Sequence, residues 1–348
     1  MRITHQMLSR NYLTRMNGNL SRLTGSNEKL SDGRKFNKGY ENVADAGKAL
    51  KIRKLLADNG RYQTTIRDAQ GRADAAEDAL RTINTLLIAT EDKVIEGLNG
   101  TVSPNDREKI AIELEKYQEE IFQVMNTKYS DRFLFTAAGN LDGSAPFSKG
   151  PGGELLYQGI AVDGMFPYMG TGQPGYQKTD DTGVLVNAPI PYNKKNYVDI
   201  GAGFRLLPNG EVDPNTAFQD TYSGVDSFGF GVNADGMPRN AYSLLGRMVE
   251  NLRANNLEGL GKTLNAIPDA MDFVLTAVTE IGARGVTLQD SKSRLEGEYI
   301  NLIEIQNDLE GVDYSEEIIH NKSFEMSWMV TLQLGSKILP QTIFDFIR

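Results

Sequence analysis

The sequence predicts a mainly α protein with a mid-chain β domain: an elongated antiparallel helical bundle or coiled coil carrying a small, turn-rich β insert. Three observations predict it. Residues 141–240 hold 9 of the 12 Pro and 17 of the 35 Gly. A 3.5-residue apolar seam runs from Ile52 to Val94, and a second repeat of seven runs through the last third of the chain. A regular heptad seam needs an unbroken helix, whereas dense Pro and Gly forbid one.

The first stripe is Leu13, Met16, Leu20, Leu23, Asn27 and Leu30, spaced alternately by three and four. The next is longer. Ile52, Leu55, Asn59, Tyr62, Ile66, Ala69, Ala73, Ala76, Leu80, Ile83, Leu87, Thr90 and Val94 keep the same alternation, and eleven of these thirteen are apolar or Tyr. Such a run is the signature of a helix that packs along its whole length. It ends near Gly97–Gly100, and Ser103-Pro104 supplies an N-cap and an N1 proline for a further helix striped by Ile110, Leu114, Tyr117, Ile121 and Val124. The short link predicts an antiparallel helical hairpin.

Within 141–240, Asp163-Gly164, Asn209-Gly210 and Asp235-Gly236 predict hairpin turns, because they tolerate positive φ. Tyr157, Tyr197, Val198, Phe204 and Phe228 are strand candidates, and the stretch from about Gly170 to Pro191 reads as loop. Short helical pieces follow from Ala241 to about Leu264, and Pro268 opens a long helix. Ile281, Leu288, Leu295, Leu302 and Leu309 recur every seven residues, until Gly311 interrupts. A last helix from about Tyr314 presents Ile319, Met326, Met329 and Leu332 and stops at Pro340, leaving the apolar tail Ile343–Ile347. The predicted divisions are an N-terminal assembly helix over 1–40, the N-terminal half of a helical rod over 41–140, an outward-facing β domain over 141–240, the other half of the rod over 241–310 and a C-terminal assembly helix over 311–348.

Composition narrows the function. The 348 residues carry 37 Lys+Arg and 46 Asp+Glu, a formal net charge of −9, with two His and no Cys. No disulfide, thiolate metal site or cysteine nucleophile is possible. The acidic balance argues against generic nucleic-acid binding. No apolar run approaches the ~18–20 residues that span a bilayer, and the first residues lack the apolar core of a cleaved signal. Gly261-Lys262-Thr263 lacks the upstream Gly of a phosphate loop, since Asn256 stands there. No pair of His four apart exists for a zinc hydrolase, and Asp180-Asp181 lacks calcium-loop spacing. The expectation is a non-enzyme with no cofactor, no metal, no nucleic-acid partner and no membrane insertion.

Charge is divided between the ends. Residues 1–40 carry a net +6 and residues 299–348 a net −5. Arg10, Arg15 and Arg22 on one side and Glu304, Asp308, Glu316 and Glu317 on the other are the candidates for charge pairing that sets register. Leu13, Met16, Leu20, Leu23, Leu30, Ile281, Leu288, Leu295, Leu302, Leu309, Ile319, Met326, Met329 and Leu332 are the candidate assembly surface. Gly18, Gly25, Gly33, Gly311 and Gly335 weaken the end helices by about 1 kcal/mol each in a helix interior. These ends are therefore expected to order only in an assembly.

Local words add a resemblance. Met1-Arg2-Ile3-Thr4, Leu30-Ser31-Asp32-Gly33-Arg34-Lys35-Phe36-Asn37, Glu41–Ala46 and Ala79–Asn84 stand in the order found in the flagellin-like axial proteins of bacterial flagella. Asn126–Ala137, with Ser130-Asp131 where a Gly is usual, and Tyr157-Gln158-Gly159 are similar to the branch that joins hook to filament. Asp308–Asp313 and Leu339–Phe344 match the family's closing words. The resemblance covers roughly residues 1–140 and 241–348. It implies a flagellin-type fold, export through the flagellum's own type III channel, assistance by a flagellar export chaperone, and terminal helices that line the inside of the polymer. The implied partners are copies of itself in a ring, the first hook-associated protein below and flagellin above. A flagellin that builds the filament, or a coiled-coil secreted binding or signalling module, are the alternatives.

Overall fold

The computed structural model describes residues 5–136, 143–167, 174–179, 185–189, 195–213 and 216–338. Seven α-helices occur among them: α1 (His5–Asp32), α2 (Val43–Leu98), α3 (Pro104–Met125), α4 (Gly224–Phe228), α5 (Ala241–Arg253), α6 (Leu257–Glu310) and α7 (Tyr314–Ile338). Between α3 and α4 lie ten short strands: β1 (Lys128–Tyr129), β2 (Arg132–Phe133), β3 (Phe147–Lys149), β4 (Leu155–Tyr157), β5 (Ile160–Ala161), β6 (Phe166–Pro167), β7 (Pro174–Thr179), β8 (Leu185–Pro189), β9 (Tyr197–Val198) and β10 (Phe218–Gln219). All pair antiparallel, as β1-β2, β3-β4-β5, β6-β7-β8 and β10-β9. The expected class, helical with a mid-chain β insert, is the one observed. The chain divides into two compact units, Arg61–Leu295 and a second made of Met1–Gly60 with Glu296–Arg348.

In the larger unit the seam of α2 is the core. Ile66, Ala69, Ala73, Ala76, Leu80, Ile83, Leu87 and Val94 are all buried, with Thr90 buried among them. Thr90 tolerates this because its hydroxyl donates to Leu86 O at 2.7 Å. Ile110, Leu114, Ile121 and Met125 of α3 and Leu244, Leu245 and Met248 of α5 cluster with the part of this seam from Ala73 to Val94. The α2–α3 hairpin forms as expected. Ser103 caps α3 by accepting the Asp106 N–H, and Lys93 Nζ sits 3.1 Å from Glu113 across the hairpin. The buried Arg107 supplies what α2 lacks at its end: its Nε donates to Gly97 O at 3.0 Å and its Nη2 to Asn99 O at 3.2 Å.

The β segment is fastened to this core by aromatics. Phe135, Phe147, Tyr157 and Phe228 are buried, with ring centroids 4.6 Å apart for Phe135–Phe228 and 5.0 Å for Phe147–Tyr157. Arg72 of α2 makes an ion pair with the buried Asp220 beyond β10. Burial pulls the Arg72 guanidinium below its ordinary value and pushes the Tyr222 hydroxyl above its own.

Several expectations need correction. The stretch read as loop contains the β7–β8 hairpin; its prolines, Pro174 and Pro189, stand at strand ends, where a missing N–H is tolerated. Phe228 ends the short helix α4, and Phe204 is exposed outside any strand. Asp163-Gly164 belongs to a 3₁₀ turn, Val162–Gly164, whereas Gly210 and Gly236 do turn hairpins at φ +83° and +73°. Pro268 lies inside α6, which begins at Leu257. Gly18, Gly25 and Gly335, read from the sequence as interruptions of the end helices, lie inside continuous helices. The expected stop at Pro340 and the tail Ile343–Ile347 lie outside the described residues.

In the smaller unit, α1 and α7 pack against each other. The turns that connect them to α2 and α6 are clipped together by an antiparallel bridge between Arg34 and Gly311. Lys35 N donates to Glu310 O at 2.7 Å and Val312 N to Gly33 O at 3.0 Å. Gly33 holds φ +69°, and a Cβ there would meet Tyr314 Oη at 2.7 Å, so glycine is favoured at this turn.

Candidate assembly interface

The α1–α7 pair is built with its polarity reversed. Its buried seam is polar: Ser26 and Thr331 are buried, Asn19 Nδ2 donates to Thr331 Oγ1 at 2.8 Å, and Asn321 Nδ2 donates to Asn27 Oδ1 at 2.8 Å and Ser26 Oγ at 3.3 Å. These links run antiparallel, ending at Lys29 Nζ, 4.0 Å from Glu317. Tyr12 is buried against Gly335, whose missing side chain makes room for the ring.

Many apolar side chains of the pair face outward, although Phe324 and Trp328 are half-buried. Leu13 and Leu20 on α1 and Ile319, Met326, Met329 and Leu332 on α7 are exposed, Ile319 by 71%. Met16, Leu23 and Leu30 are half-buried. Beside them, Ile318, Met326 and Val330 line an open groove of about 690 Å³ on α7. Each such side chain gives on the order of 1 kcal/mol when a neighbour covers it. A contiguous apolar face on a water-exposed helix pair marks a surface meant to be covered.

The α6 candidates lie elsewhere. Ile281, Leu288, Leu295 and Leu302 are buried within the chain and Leu309 is half-buried, so this heptad repeat builds the chain's own core and is corrected as an assembly surface. Leu288 and Leu295 pack with Ile66, Ala69, Ile200 and Phe218. Leu55, counted in the α2 seam, is exposed instead.

The charge candidates are also redistributed. Among the described residues, Arg10, Arg15 and Arg22 have no acid within 4.0 Å, and Glu317 with Lys29 is the ion pair that joins α1 to α7. Glu316 lies 3.6 Å from His320 on its own helix. Glu304 is exposed on α6, and Asp308 meets Lys35 through its backbone carbonyl. Within the chain, then, Glu317 pairs with Lys29 rather than with an arginine, and neutral hydrogen bonds such as Asn19–Thr331 and Asn321–Asn27 supply further links between α1 and α7.

Sequence reasoning missed the polar seam and the Arg53–Glu310 pair beneath it. Asn19 and Ser26 stand seven apart, a heptad spacing of small polar residues that could have signalled a buried polar contact. At the start of α2 the turn is stabilised locally: backbone N–H groups of Asn37 and Lys38 hold the Glu41 carboxyl below its ordinary range, and Lys48 and Asn42 do the same for Asp45.

Residues 3–139 match the model of the bacterial flagellin N-terminal helical region. The chain is similar to flagellar hook-associated protein 3 of Salmonella typhimurium, 24% identical over 154 residues, which span 44% of this chain and 48% of that one. It is also similar to flagellar hook-associated protein 3 of Escherichia coli, 20% identical over 322 residues, covering 91% of this chain and 90% of that one. Among solved structures, a flagellar hook-associated protein of Vibrio parahaemolyticus superposes with a TM-score of 0.58 at 18% identity, over 78% of this chain and all of the other, which establishes a shared fold.

Proposed function

We infer that this flagellin-like chain is a structural component of the bacterial flagellum, the subunit that joins hook to filament. One observation carries the reading: a chain alike along nine-tenths of its length to a hook-associated protein bears, on its terminal helix pair, an apolar face turned to solvent. That reversal is poor design for a free monomer and good design for a polymer.

The terminal helices supply adhesion, and the clipped turns at Arg34 and Gly311 fix their direction. Copies of the chain form a ring, with the first hook-associated protein on one side and flagellin on the other. The chain reaches that place outside the cell unfolded, through the flagellar type III channel, accompanied by an export chaperone. The β segment decorates the outer surface. The role is mechanical and calls for no catalytic group.

Deletion of the gene tests this. Cells that keep their hooks and shed filaments into the medium are the expected result. Filaments that remain attached, or a tagged chain that labels the whole filament, would overturn the junction role; the latter would favour a filament subunit.

A further inference from the structure

The lower part of α2 presents a strip that the α1–α7 pair does not cover. Val43, Leu50, Lys51 and Lys54 are exposed along it, Val43 by 74% and Leu50 by 65%. They lie opposite the buried residues Ala49 and Asn59 of the same helix. The end of α6 presents a second strip. Ile300, Glu304 and Asp308 follow at intervals of four, with Ile305 beside them, and all four are exposed. They lie opposite the buried Leu302 and Glu310. Arg53 of α2 and Glu310 of α6 join the two helices, and both strips stay exposed beside that contact.

The strips are complementary. Each sets apolar side chains among charges of one sign, basic on α2 and acidic on α6. Among the described residues Lys51, Lys54, Glu304 and Asp308 have no side-chain partner of opposite charge within 4.0 Å. Two faces of one molecule that fit each other yet both stay exposed are not satisfied within that molecule. They can satisfy the next copy.

We propose that these strips are the two halves of one contact between copies: the basic strip of α2 docks on the acidic strip of α6 in the neighbouring subunit. The contact is heterologous, so each copy keeps one free face for the next, and association continues until a ring closes or a helical array forms. Leu50 and Val43 meet Ile300 and Ile305 at its centre, and Lys51 and Lys54 face Glu304 and Asp308 at its margin. The proposal rests on the junction reading only for where in the flagellum the array stands.

The chain has no cysteine, so one variant with Lys54→Cys and Glu304→Cys reports on this contact alone. Oxidation of intact flagella carrying it is expected to yield a ladder of dimers, trimers and higher species. Monomers alone, or dimers alone, would overturn the proposal, because a heterologous contact cannot stop at two. Charge reversal gives a second measure. K51E/K54E and E304K/D308K are each expected to abolish filament attachment while secretion and helical content persist, and the four changes combined should restore it. A combined variant that is secreted and helical yet no better than either half, or single variants that assemble normally, would overturn it. A ladder found along whole filaments would keep the contact and sink the junction reading. A collar in the right place with no ladder would do the reverse.

Discussion

Arg53 on α2 and Glu310 at the end of α6 form an ion pair at 2.7 Å, and the Glu310 side chain is only 5% exposed. The same glutamate accepts the Lys35 N–H through its backbone carbonyl, so one residue fastens both helices and the clipped turns. Arg53→Ala strands a buried carboxylate. Because the arginine is itself 43% exposed, the expected loss is about 2 kcal/mol rather than the larger cost of a fully buried pair. Arg53→Ala combined with Glu310→Gln should recover most of it. Limited proteolysis near residues 33–42 and 311–313 reads the effect; equal cleavage in all variants would refute the assignment.

The β1–β2 hairpin turns through Ser130 and Asp131 at φ +46° and +64°, so two non-glycine residues occupy the left-handed region. That geometry suits Asn-Gly, and each L-residue held there is strained by roughly 1–2 kcal/mol. Ser130→Asn with Asp131→Gly is expected to raise stability by about 1 kcal/mol. A higher denaturant midpoint with an unchanged slope would verify it, and a lower midpoint would show that the native side chains earn their place by contacts beyond the turn.

What the sequence made legible follows from one assumption, that apolar stripes turn inward. Along α2 from Ile66 to Val94 the assumption holds, and spacing alone located the core. On α1 and α7 it fails in a particular way: Leu13, Ile319 and Met326 turn out and Ser26 and Thr331 turn in. Periodicity reports that a helix has two faces; it does not report which one a neighbour will cover. The β7–β8 hairpin was illegible for another reason. Its Gly175, Gln177 and Lys178 have little strand preference of their own, and pairing with β6 and burial of Ala188 decide their conformation. Arg107 gave no sign at all, since an arginine on an amphipathic helix ordinarily faces water.

Asp163 sits in the 3₁₀ turn beneath α5, where burial raises its carboxyl above the ordinary 3.8 against the opposing pull of Ser243 and Arg247. A raised folded value means that the native chain binds the proton more tightly than the unfolded chain. Stability therefore falls as pH rises from 3.8 through the folded value, and the penalty stays constant above it. Asp163→Asn removes the titration. The variant is expected to match or exceed the parent at neutral pH and to lose that advantage as pH falls to 3.8, as thermal unfolding at several pH values would show. A constant difference across that window would exclude Asp163 as its source.

The two compact units should differ sharply in amide exchange. In the larger, residues 66–94 of α2 bury their seam completely, so exchange there requires global opening and is slow. In α1, Gly18 and Gly25 each cost about 1 kcal/mol relative to Ala, and the seam with α7 is made of Asn, Ser and Thr hydrogen bonds worth roughly 1 kcal/mol apiece. A helix pair so constituted opens readily when no neighbour covers Leu13, Leu20 and Met326. In dilute monomer, residues 5–32 are expected to exchange at least a hundredfold faster than residues 66–94, and to become protected when the chain is polymerised. Strong protection across residues 5–32 in the monomer would mean that the terminal pair is complete by itself, and the exposed apolar face would then lose its meaning as an adhesive surface.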